Sequence, residues 1–189
     1  MLRDLVLNNR SRRRFYQESR VEINSLRELV DLARLSASAA NMQPLKYILS
    51  GDPQKNALIF PYLRWAGYLK EWPGPIEGER PSAYIIVLGD TRISQSFGCD
   101  HGIAAQSILL GAVERGLGGC LIGNVDRSGL CKALKIPSHY EILLVLALGK
   151  PKEIVVVEAL GSGEDIKYWR DSECVHHVPK RRLDDIIVG

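Results

Sequence analysis

Apolar positions Leu2, Leu5 and Val6 recur at helical spacing between Met1 and Asn9, and Leu26, Leu29, Val30 and Ala33 do so more clearly between Asn24 and Leu35. Both segments are predicted as helices with one face on a core. Asn24, or Ser25 with Glu28 as a capping box, is the expected start of the second helix. Small and polar residues from Ser36 to Pro44 break the pattern, and Pro44 disfavours a helical Gln43, so this stretch reads as a loop. Leu45 to Ser50 reads as a strand. Asp52 to Leu69 reads as a helix interrupted near Pro61, and Trp72 to Pro81 as a turn-rich excursion.

The β-branched run Ala83 to Leu88 has the composition of a strand buried on both faces. Asp100 to Arg115 is predicted as a central buried helix, capped by Asp100, with neighbours approaching at Gly102 and Gly111. A short strand at Cys120 to Ile122, a helix near Arg127 to Leu134 and a strand at Glu141 to Leu148 follow. From Lys150 onward the chain turns polar, with turn signals at Gly161-Ser162-Gly163 and a final apolar run at Ile186 to Val188. One domain over residues 1–189 is expected, with residues 150–189 an arm that docks on a partner subunit. Helices mixed with strands indicate an α+β fold around a mainly antiparallel sheet.

Composition narrows the class further. Of 189 residues, 46% are apolar and 25% charged, as in a soluble globular protein. The longest strictly apolar run, Ile142 to Leu148, is far short of the ~20 residues a bilayer span requires, and no apolar stretch follows the Arg-rich N-terminus as in a signal peptide. A cytoplasmic protein with no membrane span is expected. Cys99, Cys120, Cys131 and Cys174 form no C-x-x-C pair, so they read as reduced, mostly buried thiols.

A net charge of +3 is too small to indicate nucleic-acid binding, but its distribution is informative. Arg10, Arg12, Arg13 and Arg14 cluster near the start, and Lys180, Arg181 and Arg182 near the end. The first cluster surrounds Ser11 just after a helix, an arrangement suited either to a phosphate or anionic ring edge or to a solvated basic turn. Lys180 and Arg182 reach the same anion if the arm returns to the first helix. The glycines from Gly116 do not spell a dinucleotide fingerprint, because Leu121 stands at the third glycine and a helix precedes the first. No G-x-S-x-G elbow, H-E-x-x-H or phosphate-binding P-loop is present.

Arg10-Ser11-x-Arg13-x-Phe15, Ser36-x-Ser38-x-x-Asn41-x-Gln43-Pro44, Asp100-x-Gly102-Ile103-Ala104-Ala105-Gln106, Gly116-Leu117-Gly118-x-Cys120-x-Ile122-Gly123, Leu146-Ala147-Leu148-Gly149-x-Pro151 and Lys180-x-Arg182 together resemble the nitroreductase family of flavoproteins. The blocks occur in family order and span nearly the whole chain. The resemblance implies an intertwined homodimer with FMN at the subunit interface. It also implies that NADH or NADPH supplies electrons to a nitroaromatic, quinone or similar flat acceptor. By the same resemblance, Arg10, Ser11 and Arg13 contact the FMN phosphate, ribityl chain and pyrimidine edge, with Lys180 and Arg182 on the phosphate. Ser38, Ala40, Asn41 and Gln43 line the flavin, with Ser38, Ala40 and Asn41 coming from the other subunit. Ile122 and Gly123 present backbone groups near N5.

A cation beside the flavin N1 and O2 stabilises the charge that hydride brings, and Arg13 is the candidate. No dedicated acid or base is then needed. Asn9 departs from the family where a second basic residue is common, Leu45 replaces a common Trp, and His101 replaces a small residue. The Trp65 to Pro75 region reads either as a lid or as an ordinary hydrophobic corner, and Cys174, His176 and His177 either as arm contacts or as a loose metal cluster. Same-fold relatives that fragment flavin or remove halogens, and a flavin-binding module without turnover, are the rival readings. Basic clusters without interleaved aromatics argue against nucleic acid as a partner.

Overall fold

Four strands build the central sheet: β1 (Leu45–Ser50), β2 (Ala83–Asp90), β3 (Gly118–Ile122) and β4 (Tyr140–Gly149), in the order β1-β2-β4-β3 with every neighbouring pair antiparallel. The computed structural model describes residues 1–161 and 163–189. All of β2 is buried, because both faces of the sheet are covered. Ala83, Ile85 and Val87 point to one side, where Leu26 and Leu29 of α2 (Ile23–Arg34) and Ala105, Ile108 and Ala112 of α4 (Asp100–Glu114) complete the core. Tyr84, Ile86 and Leu88 point to the other, against Ile59 of α3 (Pro53–Ile59) and Leu130 of α5 (Arg127–Leu134). The first helix, α1 (Leu2–Asn8), lies at the surface and buries no residue.

The register shifts between Val87 and Leu88, which pair with Leu144 and Ile142. Leu143 is the extra residue of a bulge. Its effect is visible in the core, where Ile142 and Val145 face the same side although three positions apart. Arg127 caps the bulge, donating from Nε to the Ile142 carbonyl at 2.8 Å and from Nη2 to the Leu143 carbonyl at 3.1 Å.

The structure corrects several local expectations. The helix expected over 52–69 breaks near Pro61 as expected but does not resume after it: Asp52 caps α3 by accepting the Lys55 N–H at 2.8 Å, and Phe60-Pro61-Tyr62 tighten into a 3-10 turn. Pro61 has no N–H with which to continue the helix. Glu22, rather than Asn24 or Ser25, occupies the cap of α2 and makes no side-chain capping bond. Cys99, rather than Asp100, occupies the cap of α4. Of the two glycines in α4, only Gly111 marks a close approach, since a Cβ there would fall 2.3 Å from Leu32 Cδ1 while one at Gly102 would meet nothing within 4 Å. Cys99 and Cys174 are exposed; only Cys120 is fully buried, and burial raises its thiol pKa.

The C-terminal arm forms its own three-stranded sheet, β5 (Val155–Ala159), β6 (Trp169–Arg170) and β7 (His176–Lys180), in the order β5-β7-β6 with β5 and β7 parallel. It is laid on the chain's own N-terminal segment: Tyr16 N–H donates to the Lys150 carbonyl and Lys152 N–H to the Arg14 carbonyl, each at 2.9 Å. The turn signal at Ser162 lies outside the described residues. No described helix is long and apolar enough to cross a membrane.

Candidate functional site

The arginine-rich segment runs beside β3, with Ser11 bridging Gly119 in parallel and Arg12 N–H donating to the Gly119 carbonyl at 2.9 Å. Because the segment is extended, its side chains are sorted into different environments. Arg14 binds Glu79 with two charge-assisted hydrogen bonds, Nε to Oε2 at 2.6 Å and Nη2 to Oε1 at 2.7 Å. Lys152 adds a contact to Glu79 at 3.0 Å. Hydrogen bonding to Arg14 is the main cause that pulls the Glu79 carboxyl down to about 2. Arg12 Nη1 donates to the Glu153 carbonyl oxygen at 2.6 Å.

Arg13 is different. Its side chain lies within the protein, at 8% exposure, and its backbone N–H donates to the Glu153 carboxylate. The Glu153 side chain is fully buried and also accepts from Arg170 Nη2 at 3.1 Å. The Arg13 guanidinium lies 4.9 Å from the centre of the Tyr168 ring, and Nη1 approaches His176 Nε2 at 3.2 Å. These contacts tie the N-terminal arginines to the C-terminal sheet.

A cleft of about 270 Å³ opens between them, lined by Arg10, Ser11 and Arg13 on one side and Tyr168, His176 and Lys180 on the other. Members of the two basic clusters, more than 160 positions apart in the chain, therefore line one cleft. Among the described residues, the side-chain cations of Arg10, Arg13 and Lys180 have no carboxylate within 4.0 Å, unlike those of Arg14 and Arg170. The Nε atoms of Arg10 and Arg13 are buried with no hydrogen-bond acceptor. Buried donors of this kind carry a penalty unless an acceptor arrives. Arg182 does not line the cleft; it is exposed two residues beyond Lys180.

Ser38, Ala40, Asn41 and Gln43 lie elsewhere on the chain, in the loop between α2 and β1. Ser38 Oγ donates to Asp100 Oδ2 at 2.6 Å, the Ala39 N–H donates to Asp100 Oδ1 at 3.0 Å, and the Gln43 N–H donates to Ser38 Oγ at 2.9 Å. Asp100 thus anchors a loop in which Ala40, Asn41 and Gln43 have φ of 47°, 54° and 52°. Side chains rarely take that conformation, and it concentrates at sites where function maintains it. Ser38 and Gln43 line a second cleft, of about 200 Å³, which shares no residue with the cationic one. Within a single chain the two halves are not brought together.

Ile122 is buried at the end of β3, and Gly123 is exposed with open space where a Cβ would be. The Gly123 carbonyl accepts from Arg127 Nη2 at 3.1 Å, which couples this turn to the β4 bulge. The Trp65 to Pro75 region packs on the arm: the Tyr68 and Tyr168 rings are 5.0 Å apart, and the Arg170 guanidinium is 4.7 Å from the Trp72 ring centre. Gly74 accommodates Trp65, whose Cδ1 would lie 2.7 Å from a Cβ there. Cys174, His176 and His177 are not a metal cluster; no group of three or more metal-ligating side chains occurs among the described residues. His176 is buried against Arg13, whereas His177 sits between Glu158 at 2.5 Å and Asp171 at 3.1 Å and stacks on Trp169. Nothing in the sequence marks Glu79, Glu153 or Tyr168 as site residues, and His176 stands out there only as an arm contact or metal-cluster candidate.

Residues 80–150, which span β2 to β4, match the family model described as the nitroreductase family. An Archaeoglobus fulgidus protein provisionally named NADH dehydrogenase/NAD(P)H nitroreductase is 26% identical over 148 residues, covering 74% of this chain and 80% of that protein. The nitroreductase fold extends beyond the matched segment. The FMN-dependent nitroreductase of Clostridium difficile R20291 superposes with a TM-score of 0.67 at 20% identity, covering 98% of this chain and 96% of its own. A provisionally named nitroreductase of Exiguobacterium sibiricum, solved in complex with FMN, gives 0.67 at 17% identity over 80% of this chain and 89% of its own.

Proposed function

We propose that the protein is a homodimeric, FMN-dependent oxidoreductase that takes electrons from NADH or NADPH and delivers them to a nitroaromatic, quinone or similar flat acceptor. The observation that carries this reading is the convergence of Arg10, Arg13 and Lys180 on one cleft without carboxylate partners, two of them with buried N–H groups that lack acceptors. Phosphate oxygens and the carbonyl edge of a pyrimidine are acceptors of the required kind, so the residues present fit FMN. The match of residues 80–150 to the nitroreductase family model and the FMN named for two structural relatives support the same cofactor.

FMN, when bound, supplies two-electron hydride chemistry. The chain's own residues hold and tune it. Arg10 and Lys180, joined by Arg182 from the following turn, bind the phosphate. Ser11 and Arg13 orient the ribityl chain and pyrimidine edge, and the Arg13 charge favours the reduced state. Gly123, with open space beside its Cα, allows its backbone and that of Ile122 to approach the ring at N5. Ser38, Ala40, Asn41 and Gln43 reach the same ring from a second copy of the chain. That arrangement accounts for a preformed, Asp100-anchored loop that is remote from the cationic cleft of its own chain. Exposed Ile103 on α4 and exposed Ile186, Ile187 and Val188 at the C-terminus offer apolar area for the partner.

Purified protein should be yellow, or become so with FMN, elute as a dimer, and bleach anaerobically on addition of NADH or NADPH. A colourless protein that cannot be reconstituted with FMN overturns the proposal.

A further inference from the structure

We propose that His176 is a positioning residue for Arg13: a neutral acceptor that fixes the guanidinium at its edge, with Tyr168 on its face, and leaves its positive charge uncancelled. This inference rests on the FMN reading above and concerns how the site is tuned.

Guanidinium has only donors, so the 3.2 Å contact between Arg13 Nη1 and His176 Nε2 requires Nε2 to be the lone-pair nitrogen. The ring is therefore neutral with its proton on Nδ1. Burial, reinforced by Arg13 and Arg170, lowers the His176 pKa to about 4, so this form persists through the neutral range. His176 Nδ1 is itself buried without an acceptor. An apolar residue would fill the same space without that penalty, so packing alone gives no reason for a histidine here. What an apolar residue lacks is the acceptor at Nε2.

The surrounding geometry completes a clamp. The Arg13 guanidinium carbon is 4.9 Å from the Tyr168 ring centre, the Tyr168 and His176 rings are 5.1 Å apart, and Glu153 holds the Arg13 backbone N–H. Arg14 one position later shows the contrasting solution, a carboxylate partner in Glu79. Such a partner would orient Arg13 equally well, but it would cancel the charge that favours reduced over oxidised cofactor. An imidazole orients without neutralising.

The experiment compares the affinities of oxidised and reduced FMN for wild type, His176→Gln, His176→Leu, His176→Glu and Tyr168→Leu, with folding checked by circular dichroism. His176→Gln keeps a neutral acceptor and should stay within twofold of wild type in both affinities. His176→Leu and Tyr168→Leu should each weaken binding of oxidised FMN several-fold. His176→Glu should lower the ratio of reduced to oxidised affinity about tenfold, equivalent to a two-electron potential about 30 mV more negative. Should His176→Glu fail to fold, the contrast between His176→Gln and His176→Leu decides. Wild-type affinities in the Leu variant, or a Gln variant no better than Leu, overturn the role of His176. Wild-type protein that takes up no FMN instead overturns the cofactor reading itself.

Discussion

Asp100 holds Ser38 across 62 positions of sequence, accepting its hydroxyl at 2.6 Å while also accepting the neighbouring Ala39 N–H at 3.0 Å. Sitting at the first turn of α4, the carboxylate is also favoured by the helix dipole. A helix belonging to one core therefore fixes the loop that the proposed dimer turns towards the partner's cofactor. Asp100→Ala removes the acceptor for both donors and should cost about 1–3 kcal/mol of stability. FMN affinity should fall about tenfold as the loop loosens. Thermal denaturation and fluorescence titration with FMN check both effects, and unchanged FMN binding would separate the loop from the cofactor.

The charge sorting in the arginine segment gives a paired prediction. Lys180→Ala removes a cation that faces the cleft and should weaken FMN binding by about 1.5–3 kcal/mol, the range for hydrogen bonds to charged groups, with little change in melting temperature. Glu79→Gln should do the reverse, destabilising the fold by about 2 kcal/mol because Arg14 and Lys152 lose their counter-charge, while FMN affinity changes little. Titration of each variant with FMN beside a thermal melt distinguishes the two.

Glu153 joins three parts of the chain: it accepts from the backbone of Arg13 and Arg14 and from the Arg170 side chain. With its side chain fully buried, loss of charge in Glu153→Gln leaves Arg170 without its counter-ion and should cost about 3–5 kcal/mol. The arm should loosen first. Hydrogen exchange is expected to rise in β6 and β7 before it rises in β2, and uniform exchange across both sheets would contradict this.

The adjacent histidines should give stability opposite dependences on pH. His176 has a pKa lowered to about 4 by burial, so its contribution is complete above the ordinary histidine value and declines as pH falls from about 6.5 towards 4. His177 has a raised pKa through its hydrogen bonds to Asp171 and Glu158. Its contribution is complete below about 6.5 and declines as pH rises through the raised value. His177→Gln should flatten the alkaline limb of a melting-temperature profile and His176→Gln the acidic limb. Variants with the limbs unchanged would assign the dependence to other groups.

The central sheet was legible because its signals are local. The apolar run at Ala83 to Leu88 and the strand at Leu45 to Ser50 lie in β2 and β1 as expected, since a strand covered on both faces has few other ways to hide its side chains. Helix ends were less so: Asp100 has the chemistry of a cap, but its carboxylate bonds a loop 62 positions away rather than its own helix. The convergence of Arg10 and Arg13 with Lys180 was legible only through the family resemblance, because nothing local to either cluster encodes the return of the arm. Glu153 and Tyr168 were not legible as site residues, and His176 was legible only as an arm contact or metal-cluster candidate, not as a partner of Arg13. Each stands in a polar stretch of ordinary composition, and each acquires its role from a partner about 140 or more positions away.

Alternation along β7 places His176 towards the arginine and His177 towards the two carboxylates, because successive side chains of a strand point to opposite faces. A slip of β7 by a single residue would therefore exchange the uncharged imidazole for the protonatable one beside Arg13. Pairing on both sides, to Val155 and Val156 of β5 and to Trp169 and Arg170 of β6, guards against that exchange. A three-stranded appendage of modest size thus acts as an alignment gauge, setting which of two chemically identical neighbours Arg13 meets.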